Sequence, residues 1–230
     1  MPTGPVPSKV LMSPAPRKDN NVKRTAAVLV TPTTGAAPPP GVDAADYASA
    51  LVEDTYDLVS GLRLCDAAVI VWGASEDGAL VERATRIEEL TWPGTPVLPV
   101  AGAPAARRSL EVLAENGAEE AVLVAADAPD LPPLLIGKLF RALGTADIAV
   151  SPAQGGGLTA LAAHLPPPAW LADTGLDTPE AMAALAAGRP TRRALGTAPG
   201  WHRLRQPADV AHLDPGLEGW DATRGLLSAR

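Results

Sequence analysis

Short apolar runs alternate along this chain with longer segments whose apolar residues recur at helical spacing, and few architectures accept that order. The runs cover residues 26–30, 67–72, 96–100, 121–126, 147–150 and 158–163. Between them lie helical patterns over 43–62, 76–90, 104–116 and 134–143. In the first, Tyr47, Leu51, Leu58 and Leu62 share one face. Apolar runs of this length, bounded by turn residues, read as strands buried on both faces. Strands that alternate with helices of this length form βαβ units and a mostly parallel sheet. The expected fold class is α/β, a three-layer α/β/α sandwich. The run at 96–100 carries Pro96 and Pro99, which favour a sheet edge.

Of the 230 residues, 1–21 are rich in Pro and Lys/Arg without periodicity and read as a disordered arm. Residues 22–230 read as one α/β domain closed by a C-terminal wrap that buries Trp201 and Trp220. A short helix over 179–187, with Thr178 as N-cap and Pro179 in its first turn, and a terminal helix over 221–228 belong to the looser end of the chain.

Aromatic residues make up 3% of the chain, so the core must be built from Ala, Val and Leu. The net charge of -7 argues against a nucleic-acid surface, which needs a basic face. The single cysteine, Cys65, leaves no internal disulfide framework and suits a cytoplasmic protein. No apolar run approaches the roughly 18 residues that a membrane-spanning helix needs.

The run 121–126 ends in Asp127-Ala-Pro-Asp130. In open α/β sheets, ligands bind just outside the carboxyl ends of the strands. Asp127 therefore stands where a metal ligand or catalytic acid would be placed, and hard oxygen donors suit Mg²⁺. Asp130 has a structural reading beside the functional one, because Pro132 and Pro133 open the next helix and Asp130 can cap or precede it.

Two loops could meet a ligand. The loop after the first strand carries Thr31, Thr33, Thr34 and Gly35, which could approach a phosphate, although it holds no Lys or Arg. A plain connection stiffened by proline is the alternative. The second loop, Gln154-Gly-Gly-Gly157, could form a floor for a substrate group, with Gln154 and Thr159 as hydrogen-bonding partners. A permissive hairpin loop is the alternative there. Phosphate-loop, dinucleotide and nucleophile-elbow motifs are absent from the sequence. His164 lacks the neighbours of a triad and reads as structural.

The order strand, Asp-x-Pro-Asp-Leu-Pro, helix, strand, Ser-Pro-Ala and a glycine cluster resembles the nucleotide-diphospho-sugar transferase (GT-A) superfamily. Within it, the pattern is similar to small bacterial proteins catalogued as a domain of unknown function. These stand near the molybdenum-cofactor nucleotidyltransferases and phospholactate guanylyltransferases. The resemblance is specific at residues 125–132 and 151–161. It implies a Rossmann-like sheet, a nucleotide over the first loop (Thr31, Thr33, Thr34, Gly35) and Mg²⁺ on Asp127. Asp130, Gln154, Gly155, Gly156, Gly157 and Thr159 would then face the substrate.

The implied function is nucleotidyl or glycosyl transfer from a nucleotide or nucleotide-sugar to a small acceptor. A catalytically degenerate member that binds a ligand or a protein is the alternative. The chain departs from the family pattern at Pro38, Pro39 and Pro40, where relatives are basic, and at Gln154, where relatives carry Asp. A further acidic segment of the family corresponds to 204–210, with Asp209 retained. Asp177-Thr-Pro-Glu180 resembles that segment locally.

Overall fold

The computed structural model describes residues 22–171 and 173–229; the expected N-terminal arm over 1–21 lies outside them. Six of the strands are those read from the apolar runs: β1 (Arg24–Val30), β2 (Asp66–Gly73), β3 (Val97–Ala101), β4 (Glu120–Ala125), β5 (Ile148–Pro152) and β6 (Leu158–His164). Between them stand α1 (Ala44–Ser60), α2 (Gly78–Glu88), α3 (Ala106–Glu115) and α4 (Pro133–Leu143). After β6 come α5 (Ala181–Gly188), a short β7 (Leu195–Thr197) and α6 (Asp221–Ser228). Two 3-10 turns, Arg192–Ala194 and Pro207–His212, complete the described elements.

The seven strands form one sheet in the order β3-β2-β1-β4-β6-β5-β7. Every neighbouring pair is parallel except the two that involve β6, which runs against β4 and β5. The proline-bearing β3 lies at the edge, where the missing N–H donor of Pro99 is tolerated.

Alternation along the strands sorts the core into two layers. Ala26, Val28, Val30, Val122 and Val124 pack with α1, α2 and α4 on one face. Ala27, Leu29, Ala121, Leu123 and Ala125 pack with α3 and α5 on the other. This is the three-layer α/β/α arrangement expected from the sequence. Small side chains let the helices sit close; the buried Trp72 donates its indole N–H to Ser109 Oγ at 3.1 Å.

The C-terminal segment wraps over α1, where Tyr47 and Leu51 bury against Leu204, Leu213 and Trp220. Trp220 is buried as expected, whereas Trp201 is only half-buried. The first turn of α6 has no capping side chain of its own. Asp54 of α1 accepts from Ala222 N at 2.9 Å and Thr223 N at 2.8 Å instead, satisfying donors that a helix start leaves open. His164 closes β6 with Nε2 2.9 Å from Leu143 O, which fits its structural reading.

One capping reading is narrowed and one corrected. Asp130 precedes α4 without capping it: Pro132 occupies the N-cap position, and no side chain bonds there. The N-cap of α5 is Glu180; Thr178 Oγ1 instead accepts from Gly175 N at 3.1 Å, in the turn before the helix. No described helix is long and apolar enough to cross a membrane.

Candidate functional site

Parallel pairing of β4 with β1 brings the ends of both strands to one rim, which is where Asp127 and the first loop meet. The corner is braced from below by Thr55 of α1, whose hydroxyl donates to Ala126 O at 2.9 Å. Leu204 N donates to Asp127 O at 2.7 Å, so the C-terminal segment crosses directly over the corner.

That crossing delivers Arg203. Its Nε donates to Asp127 Oδ1 and its Nη2 to Asp127 Oδ2 at 2.9 Å. Nη2 also donates to Asp177 Oδ1 at 2.6 Å, and Nη1 to the carbonyls of Leu158 (3.1 Å) and Leu176 (3.3 Å). A guanidinium has five N–H donors, and all are engaged. Asp127 and Arg203 are both almost fully buried. Burial opposes the charge on Arg203, but the two carboxylates outweigh it and hold its pKa above the ordinary arginine value. For Asp177, burial pushes upward, while the guanidinium of Arg203 and the hydrogen bonds from Arg203 and Thr33 leave the carboxyl below its ordinary value.

The first loop joins this network from the other side. Thr33 Oγ1 donates to Asp177 Oδ2 at 3.1 Å and lies 2.8 Å from Thr31 Oγ1, while Thr31 N donates to Thr34 Oγ1 at 3.0 Å. The threonines therefore lock the loop as well as lining it. Gly35 has φ +69°, and a Cβ there would meet Ala48 Cα at 2.6 Å. Close packing on α1 accounts for this glycine. A crevice of about 340 Å³ opens between Thr31–Thr33, Pro104 and the segment 175–178.

The glycine turn is closed rather than open. Gly157 N donates to Pro179 O at 3.1 Å and Leu158 N to Leu176 O at 2.8 Å, so the segment 175–179 lies across its inner side. Thr159 is buried and its hydroxyl donates to Trp201 O at 3.2 Å; it has no face toward a crevice. Gln154 is exposed at the tip of the turn. Asp130 is buried and turned away from Arg203: Oδ1 accepts from Trp201 Nε1 at 3.0 Å. His202 Nε2 stands 2.9 Å from the same oxygen but off the hydrogen-bond direction, leaving Nε2 and Asp130 Oδ2 without partners.

Of the residues expected from sequence, the structure thus gathers Thr31, Thr33 and Asp127 at one rim, with Thr34 and Gly35 holding the loop behind them. It adds Asp177, Arg203 and Arg205. Arg205 donates from Nη1 to Gly156 O at 2.8 Å, while its Nε and Nη2 are buried without partners. The available signal was two arginines at alternate positions beside Trp201 in an acidic chain. Asp209, the other candidate acid, caps the following 3-10 turn by accepting from Arg205 N (2.9 Å) and Gln206 N (2.8 Å).

A divalent ion needs carboxylate oxygens that no other cation already holds. Both oxygens of Asp127 face Arg203, and among the described residues no group of three or more His, Cys, Asp or Glu side chains could hold a metal ion. With Arg203 in place, the corner does not fit one.

Comparison with known proteins bears on the same rim. Residues 101–176, which include Asp127, match the family described as an uncharacterized protein conserved in bacteria, DUF2064. That match spans about a third of the chain. No curated protein matches it in sequence. A protein assigned as a nucleotide-diphospho-sugar transferase from Desulfovibrio desulfuricans G20 superposes with a TM-score of 0.64 at 16% identity, over 90% of this chain and 98% of that one. The 4-diphosphocytidyl-2C-methyl-D-erythritol synthase of Anaerococcus prevotii DSM 20548 gives 0.58 at 13%, over 90% and 100%. Rv0371c of Mycobacterium tuberculosis H37Rv, solved in complex with manganese, gives 0.52 at 19%, over 90% and 98%. At these identities the likeness is one of fold, the three-layer α/β architecture.

Proposed function

We propose that this protein binds a nucleotide or nucleotide-sugar in the crevice beside Thr31 and Thr33, with Arg203 standing where a metal-dependent transferase would hold its ion. The carrying observation is the clamp of Arg203 between Asp127 and Asp177. It neutralises the strand-end carboxylate from within the chain and leaves Arg203 no free donor for a phosphate. This favours a ligand-binding GT-A protein over a transferase that works through a divalent ion. The exposed Gln154 and the first-loop threonines are the polar groups proposed to meet the ligand.

A transferase with Mg²⁺ or Mn²⁺ at Asp127 is the second reading. The strand-end position of Asp127 and the manganese in the mycobacterial neighbour support it. It requires Arg203 to leave both carboxylates.

Thermal denaturation with a panel of nucleoside triphosphates and nucleotide-sugars, with and without Mg²⁺ or Mn²⁺, separates these readings. Stabilisation by one nucleotide class, equal with and without metal and without release of pyrophosphate or nucleoside diphosphate on adding acceptors, supports the binding protein. Stabilisation that needs metal, disappears in Asp127→Asn and accompanies product release would overturn it in favour of the transferase. No stabilisation by any nucleotide at millimolar concentration would overturn both.

A further inference from the structure

Behind the first loop, on the side away from Asp177, lies a second cavity of about 250 Å³ between that loop, the first half of α1 and one flank of α2. Thr31 and Pro32 line both this cavity and the crevice, so the loop is the wall between them. The wall is apolar: Ala48, Val52 and Ile87 line its deeper part, and the exposed Ala45 lies at its rim. Its rim carries Arg83 and Arg86, with Ser49 opposite on α1.

The two arginines stand three residues apart and so share one edge of α2, flanking the face that buries Leu80, Ala84 and Ile87. Their charge is not spent inside the protein. Among the described residues neither forms an ion pair, although Glu82 stands one helical turn before Arg86. Arg83 donates from Nη1 to Trp72 O at 3.1 Å, a bond to a neutral carbonyl that anchors the guanidinium at the cavity edge without neutralising it. In a chain with 26 acidic and 19 basic residues, two unpaired guanidiniums over one apolar cavity are a charge pattern with an evident complement. Guanidinium is weakly hydrated, and its planar fork matches a carboxylate or phosphate.

We infer that this cavity is a second ligand site, for a compact anionic amphiphile: a carboxylate or phosphate monoester carried on a short apolar chain. The head group sits between Arg83 and Arg86, and the chain lies along Ala45, Ala48, Val52 and Ile87. The cavity is smaller than a usual cofactor site, which limits the ligand to a short chain. The site is independent of the crevice reading, since none of its cations belongs to the Asp127 network.

The test is titration of the full chain with hexanoate and with hexyl phosphate, followed by methyl NMR of Ala48, Val52 and Ile87. Inorganic phosphate and hexanol supply the head and the tail alone. Saturable shifts of these methyls are expected with at least one amphiphile, and which one binds distinguishes the two head groups. Arg83→Gln combined with Arg86→Gln should lower the affinity by about tenfold or more, as loss of a charge-assisted contact implies. Ala45→Trp, at an exposed position on the rim, should block binding without disturbing the core. No shift with either amphiphile, unchanged affinity in the double variant, or inorganic phosphate binding as tightly as hexyl phosphate would each overturn the inference.

Discussion

Arg203 meets Asp127 with two parallel donors, Nε to Oδ1 and Nη2 to Oδ2, across a sequence separation of 76 residues. The same Nη2 reaches Asp177, so one guanidinium holds together the end of β4, the segment before α5 and the C-terminal segment that crosses the corner. A divalent ion and an arginine solve the same electrostatic problem at this rim, which is a buried carboxylate that needs a positive partner. They differ in what they leave over. A metal keeps coordination positions for substrate oxygens, whereas this guanidinium has committed every donor.

Removing one partner of a buried, fully bonded pair leaves the other uncompensated. Arg203→Ala is expected to cost about 3–5 kcal/mol at neutral pH, read from denaturant midpoints. It also frees the carboxylates of Asp127 and Asp177. Added Mn²⁺ should therefore raise the melting temperature of Arg203→Ala and leave the wild-type protein unchanged. A wild-type protein that Mn²⁺ stabilises equally would contradict the picture of a cation site already filled.

Asp177 gives the rim a defined pH response. Its carboxyl lies below its ordinary value of 3.8 in the folded protein, because Arg203 and Thr33 outweigh burial. The folded state then holds fewer protons than the unfolded state in the interval between the two values. The stability it contributes is complete above the ordinary value and is lost as pH falls toward the folded value. Urea midpoints measured from pH 7 down to about 3 should fall more steeply for wild type than for Asp177→Asn. Parallel curves would mean that Asp177 is not held in its charged form by Arg203.

Local pattern carried the sheet but not the network. The strands were legible because residues 26–30 and 121–126 are apolar on both faces, and β3 was placed at the edge by Pro96 and Pro99. The three residues of β7 have too little length to show a period. Asp127 could be located at a strand end from sequence, since that depends only on where β4 stops. Its partner could not, because the bond to Arg203 exists only once the C-terminal segment crosses the corner. The reading of Thr178 as a cap failed for a related reason: its hydroxyl is taken by Gly175 N, in a turn shaped by contact with the glycine loop. Arg83 and Arg86 look like ordinary solvated helix charges until α1 and α2 pack and leave a cavity between them.

Asp54 supports the C-terminal wrap from inside α1. Because it caps α6 across a tertiary contact, Asp54→Ala should cost about 0.5–2 kcal/mol, as other capping losses do. The loss should appear as faster hydrogen exchange and protease cleavage in α6 before the sheet is affected. Its pH response has the opposite sign to that of Asp177. Burial raises the Asp54 carboxyl, against the bonds from Thr223 and Ala222 that favour its charged form. Stability from this group therefore declines as pH rises from 3.8 through the folded value. Relative to Asp54→Asn, the wild type should lose stability across that interval.

The glycine turn offers a test that separates backbone conformation from close approach. Gly155 and Gly157 have similar φ angles, +80° and +76°, so alanine at either is strained by the left-handed backbone alone, at about 1–2 kcal/mol. Their surroundings differ. A Cβ at Gly155 meets nothing within 4 Å, whereas one at Gly157 would stand 2.5 Å from Leu176 O. Relieving that clash must displace the segment 175–178, which carries Asp177 and accepts the hydrogen bond from Leu158 N. Gly157→Ala should thus be clearly less stable than Gly155→Ala in the same denaturant experiment. It should also blunt the acid sensitivity assigned to Asp177, while Gly155→Ala keeps it. Equal losses in the two variants would show that the turn is glycine-rich only for its conformation, and that the segment 175–178 is not held against it.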